Sequence, residues 1–202
     1  MPRIFLSFRK SDSRWMRDRV YRSLSDRLGA DAIFKSGQSI PPGADFAEIL
    51  RRQAAGCELM CVLIGPGWLE ARDENGMRLL DRAHDWVRLE IATALREGNR
   101  VVPVLLGDAT MLPDASALPA EIKELARLQF LRVPETHLPH ALDHLGDALT
   151  ALLPGTAAAP AAESGQGGAP AADPDPSTTM TAHVSGGGSA YQAARDLTIR
   201  QA

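Results

Sequence analysis

Apolar positions along the chain fall into two rhythms that alternate. Short, nearly unbroken apolar runs occupy residues 3–8, 32–34, 58–64, 100–106 and 129–133, the length and composition of strands. Between them lie stretches with apolar residues at helical spacing. Residues 13–28 place Trp15, Val20, Leu24 and Leu28 along one face, and Gly29 ends the run as a C-cap would. Residues 44–54 turn Phe46, Ile49 and Leu50 inward, and residues 85–95 align Val87, Ile91, Ala94 and Leu95. A short helix is predicted near residues 120–126, and Leu138, Leu142, Leu145, Leu149 and Leu152 line a last one. The run at 58–64 has no polar alternation after Glu58, which predicts a central strand buried on both faces. Gly and Pro between residues 35 and 43 predict an exposed loop, Gly65-Pro66-Gly67 breaks the central strand, and residues 70–81 read as a long polar loop.

Strand and helix alternating five times with short connections predict an α/β fold. The expected form is a flavodoxin-like three-layer arrangement, a five-stranded parallel sheet of order 2-1-3-4-5 with helices on both faces. In such sheets ligands sit beyond the carboxyl ends of the strands. Phe8-Arg9, the loop after Phe34 and the segment leading to Trp86 all leave from that edge.

Composition divides the chain further. Residues 1–153 carry the alternating pattern. Residues 154–180 are almost wholly Ala, Pro, Gly, Ser, Thr and Asp, with too little apolar surface to fold, and read as a disordered linker. Residues 181–202 regain apolar positions, but Tyr191, Ala193, Leu197 and Ile199 fit a strand while Tyr191, Ala194 and Leu197 fit a helix. The chain of 202 residues is 45% hydrophobic and 23% charged with a formal charge of −3, which suits one good core and argues against nucleic acid as a partner. No apolar run approaches the ~20 residues of a membrane span and the first residues lack a signal peptide's apolar region, so the expected location is the cytoplasm.

Several motifs carry no chemistry on this reading. Cys57 and Cys61, four apart on an expected strand, point to one face about 13 Å apart, too far for a disulfide, and read as core residues. His137, His140 and His144 sit off the leucine face of the last helix and read as solvated, so no metal site is expected. A Gly-x-Ser-x-Gly elbow and a P-loop are both absent from the sequence, which argues against a serine hydrolase or an NTPase.

The helix at residues 85–95 is the exception. With Asp85 as N-cap, Trp86 and Glu90 lie one turn apart within its first two turns, a ring beside a carboxylate, which suits a flat cationic ligand. The plainer reading of Glu90 is a surface carboxylate held by an ion pair. Positions three and four residues away are Trp86, Val87, Thr93 and Ala94, so no intrahelical cation explains it.

Three segments together resemble the Toll/interleukin-1 receptor (TIR) domain, in particular its bacterial enzymatic branch, over roughly residues 1–153. Ile4-Phe5-Leu6-Ser7-Phe8-Arg9 followed by Asp12 is similar to the family's first box, Ser39-Ile40-Pro41-Pro42-Gly43 to its BB loop, and Asp85-Trp86-Val87-Arg88-Leu89-Glu90-Ile91 to the helix with its catalytic glutamate. The resemblance implies cleavage of NAD⁺ at the nicotinamide–ribose bond. Glu90 would be the catalytic residue, Trp86 would stack on a ring of the dinucleotide beside Phe8, and Arg9 and Lys10 would face the diphosphate. NAD⁺ is then substrate, and no cofactor is implied. One carboxylate suffices, because nicotinamide leaves already neutral and needs no general acid. Ile40, Pro41, Pro42 and Gly43 would serve assembly into a homo-oligomer or filament. The family often has an acidic residue where this chain has Ser36, a departure expected to leave the glutamate untouched.

The tail resembles short amyloid-type signalling motifs related to RHIM motifs, through Gly188-Ser189-Ala190-Tyr191-Gln192-Ala193-Ala194-Arg195-Asp196, with Ala194 where those motifs usually have Gly. The implied partner is a sensor protein with a matching motif, which would gather the domains by raising their effective concentration. Two functions therefore stand: an NAD⁺ hydrolase switched on by self-assembly as a bacterial defence or cell-suicide effector, and a non-catalytic TIR adaptor or signalling module. A nucleotide-binding sensor that does not cleave its ligand would use the same pocket.

Overall fold

A computed structural model describes residues 3–36, 43 and 45–154. Of the BB-loop residues, Ile40, Pro41 and Pro42 lie outside the described residues, as do the expected linker beyond Pro154 and the amyloid-type tail. Five parallel strands form one sheet: β1 (Ile4–Phe8), β2 (Ile33–Lys35), β3 (Leu59–Ile64), β4 (Arg100–Leu106) and β5 (Leu131–Val133). Their order is β2-β1-β3-β4-β5, as the alternation of elements predicts. Among the described residues four α-helices cover the sheet: α1 (Arg14–Leu28), α2 (Phe46–Gly56) and α3 (Trp86–Arg96) lie between successive strands, and α4 (Leu138–Leu152) follows β5. The short helix expected near 120–126 is a 3₁₀ helix over Ala120–Arg127.

Strand parity sorts the core into two halves. Ile4, Leu6 and Phe8 of β1 with Leu59, Cys61 and Leu63 of β3 face Met16, Val20 and Leu24 of α1 and Leu142, Leu145 and Leu149 of α4. Phe5 of β1 with Met60, Val62 and Ile64 of β3 face Leu50 and Ala54 of α2 and Val87, Ile91 and Ala94 of α3. Every residue of β3 is buried, as expected of the central strand. Ser7 shares the parity of Phe5. It therefore points toward α3, a polar side chain in a strand otherwise filled with Ile, Leu and Phe.

Some sequence expectations give way. Trp15 is 51% exposed, and Met16 takes its place in the core. The reason is phase: at about 100° per residue, position 16 lies about 40° from Val20, whereas position 15 lies about 140° away. The two cysteines do not share a strand face. Cys57 is the C-cap of α2, before β3 begins, and joins the α2–α3 half of the core while Cys61 joins the α1–α4 half. Burial pushes the Cys57 thiol up to about 11 and raises Cys61 as well, which disfavours the nucleophilic thiolate at both. The fifth strand shortens to three residues, with Phe130 outside it and 38% exposed.

The polar loop at 70–81 is more ordered than its composition predicts. An antiparallel bridge pairs Arg72 with Arg78, and the Asp73 carboxylate accepts from the N–H groups of Asn75 and Met77, each at 2.9 Å. Gly76, at φ 78°, makes the turn. The result is a small hairpin standing at the carboxyl end of β3. Among the described residues no helix is long and apolar enough to cross a membrane.

Candidate active site

β1 and β3 are the neighbours between which the chain direction of the sheet's winding reverses, and a cleft opens at their carboxyl ends. Its volume is about 490 Å³, and Phe8, Lys10, Ser36, Arg72, Leu79 and Trp86 are among its walls. Three loops meet there. One follows β1, one follows β2, and the hairpin and the start of α3 supply the third.

The β1 loop is pinned before it reaches the cleft. Asp12 accepts hydrogen bonds from the N–H of Gly65 at 2.8 Å and of Gly67 at 3.2 Å, tying the ends of β1 and β3 together. A Cβ at Gly65 would lie 2.1 Å from the Ser13 hydroxyl and 2.6 Å from the Asp12 carboxylate, so the close approach requires glycine.

Asp85 is the N-cap of α3, as expected, accepting from the N–H of Arg88 at 2.9 Å. The same carboxylate takes both terminal nitrogens of Arg9, one of them to Oδ1 at 2.9 Å. Arg9 is 4% exposed and lines the cleft with its charge already answered by Asp85. Lys10, expected beside it, is exposed at the cleft wall. Arg72 supplies a further cation that the sequence did not single out. It is paired with Glu70 at 3.2 Å in an exposed bridge, so its charge remains exchangeable.

Trp86 begins α3, 40% exposed against the cleft. Glu90, one turn on, is 2% exposed, which overturns the reading of a surface carboxylate. Among the described residues no cation pairs with it directly. Ser7 donates to Oε2 at 2.6 Å, and the Ser36 hydroxyl donates to Oε1. Ser36 thus touches the glutamate directly, contrary to the expectation that its departure from the family pattern left Glu90 untouched. Neither serine was a candidate from sequence. The signal for Ser7 was a lone hydroxyl inside an apolar strand, whereas Ser36 reaches Glu90 only through the pairing of β2 with β1.

Burial raises the Glu90 carboxyl from its ordinary 4.5 to about 7. The Ser36 and Ser7 hydroxyls hold it lower than burial alone would, Asp85 pushes it up, and Arg9 pulls it down. Glu90 does not itself wall the large cleft; Ser36 and Trp86 do, and Glu90 borders a smaller recess with Leu50, Arg51 and Leu89. Phe8 lies within the cleft wall with Arg17 stacked on its ring at 4.4 Å. Gly43, the described part of the BB loop, has φ 83°, and a side chain there would be strained. His137, His140 and His144 are exposed on and beside α4, away from these loops.

Comparison with known proteins agrees with this architecture. The TIR domain family matches residues 4–144. Among solved structures, the TIR domains of the activated Roq1 resistosome directly recognizing the pathogen effector XopQ superpose with a TM-score of 0.54 over 72% of this chain and 98% of that one. At 12% identity the likeness is one of fold. No curated protein gives a significant match. The family match spans well over half of the chain and takes in β1, the loop after β2 and the helix of Glu90, and on that extent the chain belongs to the TIR domain family.

Proposed function

We propose that this TIR domain cleaves NAD⁺ at the bond between nicotinamide and ribose, with Glu90 as the catalytic residue. The observation that carries the reading is a buried carboxylate poised near neutral pH, beside an exposed tryptophan at the mouth of a cleft large enough for part of a dinucleotide. In the reaction the C1′–N bond breaks, its electron pair leaves with nicotinamide, and water adds to the ribose carbon with loss of a proton. Ionised Glu90 stabilises the positive charge that develops on the ribose, a stabilisation strengthened by its dry surroundings. Trp86 offers its face to a ring of the substrate, and Phe8 extends the apolar wall. Lys10 and Arg72 offer positive charge to the diphosphate, whereas Arg9 acts by holding Asp85 and the start of α3.

Activation on this reading comes from self-assembly of TIR domains, in keeping with a fold relative described within an activated resistosome. The BB loop from Ile40 to Gly43 would contribute the contacts, a sensor carrying a matching motif would gather the tails, and the outcome would be bacterial defence or cell suicide. The experiment is nicotinamide release from NAD⁺ by the full-length chain over a concentration series, beside Glu90→Gln. Turnover that rises more than linearly with concentration and disappears in Glu90→Gln supports the enzyme.

A second reading, a non-catalytic signalling module, is favoured by one feature: both oxygens of Glu90 are occupied by serine hydroxyls, and Glu90 itself does not wall the large cleft. No turnover in assembled protein would establish it in place of the first, whereas equal turnover in Glu90→Gln would remove Glu90 as the catalytic residue.

A further inference from the structure

The two hydroxyls on Glu90 differ in what stands behind them. Ser7 is 0% exposed, and its hydroxyl donates to Oε2 at 2.6 Å from the middle of the sheet. Nothing entering the cleft meets it, since it is not among the cleft's walls. Ser36 is half-buried and is itself a wall of the cleft, while its hydroxyl holds Oε1. Oε1 is therefore separated from the cleft by one hydroxyl.

The backbone of Ser36 is fixed independently of that contact. Its N–H donates to the carbonyl of Leu6 at 3.1 Å, and the preceding Lys35 is held by Asp18 at 2.9 Å with its ammonium 4.9 Å from the centre of the Tyr21 ring. The hydroxyl can leave Glu90 by turning about one side-chain bond, between staggered positions, without moving the strand.

We propose that Ser36 is an exchangeable cap on Glu90 and Ser7 a permanent strut: a ligand hydroxyl entering the cleft replaces Ser36 on Oε1 while Ser7 keeps Oε2 in place. The exchange trades one O–H donor for another, so the buried carboxylate is never left bare, which would cost far more than the rotation. A serine suits this position because it departs without leaving a charge behind. The ligand class is a sugar carrying free hydroxyls, and its identification as the ribose of a nicotinamide dinucleotide rests on the proposed function. Ser36 is on this view a positioning residue that gates access to Glu90.

The test uses the full-length chain with ¹³C-labelled glutamate carboxyls, Glu90 being assigned by its loss in Glu90→Gln. The charged groups around Glu90, namely Asp85, Arg9 and the Arg51 that borders its recess, are present in every variant compared. Ser7→Ala leaves a dry oxygen without a donor, and the titration midpoint of Glu90 rises by about one unit or more. In Ser36→Ala water from the cleft takes the vacated place, and the midpoint moves by less than half as much. ADP-ribose, added at pH 8.5 where Glu90 is ionised, binds Ser36→Ala about tenfold more tightly than the parent, because it displaces a releasable water from Oε1 in place of a hydroxyl tethered to the strand. An equal or larger midpoint shift in Ser36→Ala, or weaker ADP-ribose binding by that variant, overturns the cap. If ADP-ribose binds no form, the nucleotide reading of the site fails, and the cap is decided by the two midpoints alone. Should Ser7→Ala not fold, Ser7→Cys, of similar size and a poor donor, supplies the comparison.

Discussion

Arg9 grips the carboxylate of Asp85 with both terminal nitrogens, and both side chains are buried at the junction of β1 and α3. Asp85 is also the N-cap of α3, so one carboxylate holds the helix start and the strand end at once. That junction sets where Trp86 and Glu90 stand relative to the cleft. Removing one partner strands the other charge in a dry site, a loss of about 3–5 kcal/mol. Arg9→Ala should therefore lower the urea midpoint strongly, and Asp85→Ala should do the same with the cap lost as well. A double variant that costs little more than either single one would confirm that the two act as a unit. Additive losses would refute it.

Glu90→Gln tests what the site costs the fold. The folded-state value of about 7 lies above the ordinary 4.5, so the folded protein holds the proton more tightly than the unfolded chain. Below the lower value both states are protonated and nothing is lost; as pH rises through the upper value the native state is destabilised relative to the acid side. The difference corresponds to about 3 kcal/mol. Glutamine keeps the shape without the charge and still accepts from one serine. Its stabilising effect should be largest at pH 8 and nearly absent at pH 4.5, read as the difference in thermal midpoint at the two pH values.

Turnover should follow the same group in the opposite sense. If the ionised carboxylate stabilises the developing ribose charge, activity rises with pH through about 7 and then levels. A profile that falls across that range would point to the protonated form, and so to a different chemistry at Glu90.

Gly65→Ala should damage the fold from a distance. The added methyl would meet the Ser13 hydroxyl and the Asp12 carboxylate well inside contact range, and Asp12 is what ties β1 to β3. A loss of about 1–3 kcal/mol is expected from overpacking, measured by chemical unfolding. Asp12→Ala in the same background should add little, since the alanine has already displaced the carboxylate.

Trp86→Ala separates binding from stability. The ring is 40% exposed, so its removal should cost little in unfolding experiments while raising the KM for NAD⁺ by roughly tenfold, the scale of one lost stacking contact. A large stability loss with unchanged KM would instead make it a packing residue.

How much of this was legible in the sequence depends on the range of the interaction. The strands, the N-cap at Asp85 and the adjacency of Trp86 to Glu90 follow from local periodicity, because residues one turn or two positions apart are neighbours whatever the rest of the chain does, and the order of the sheet follows from the alternation of strand and helix with short connections. The phase of α1 was misread only because Trp15 was counted with a face it misses by more than a quarter turn. The hairpin at Arg72–Arg78 was hidden because its order comes from side-chain bonds of Asp73 rather than from apolar rhythm.

The linear chain by itself determined the α/β class, the edge at which the cleft forms and the residue types brought to that edge, since these depend on local pattern and on chain direction. Tertiary structure alone decided the state of Glu90. Ser7 lies 83 positions away and Ser36 lies 54 away, and Arg9 reaches Asp85 across 76. Such contacts arise only when β2, β1 and α3 pack, and it is packing that removes water from the carboxylate, assigns one hydroxyl to each oxygen and thereby sets where its proton is held.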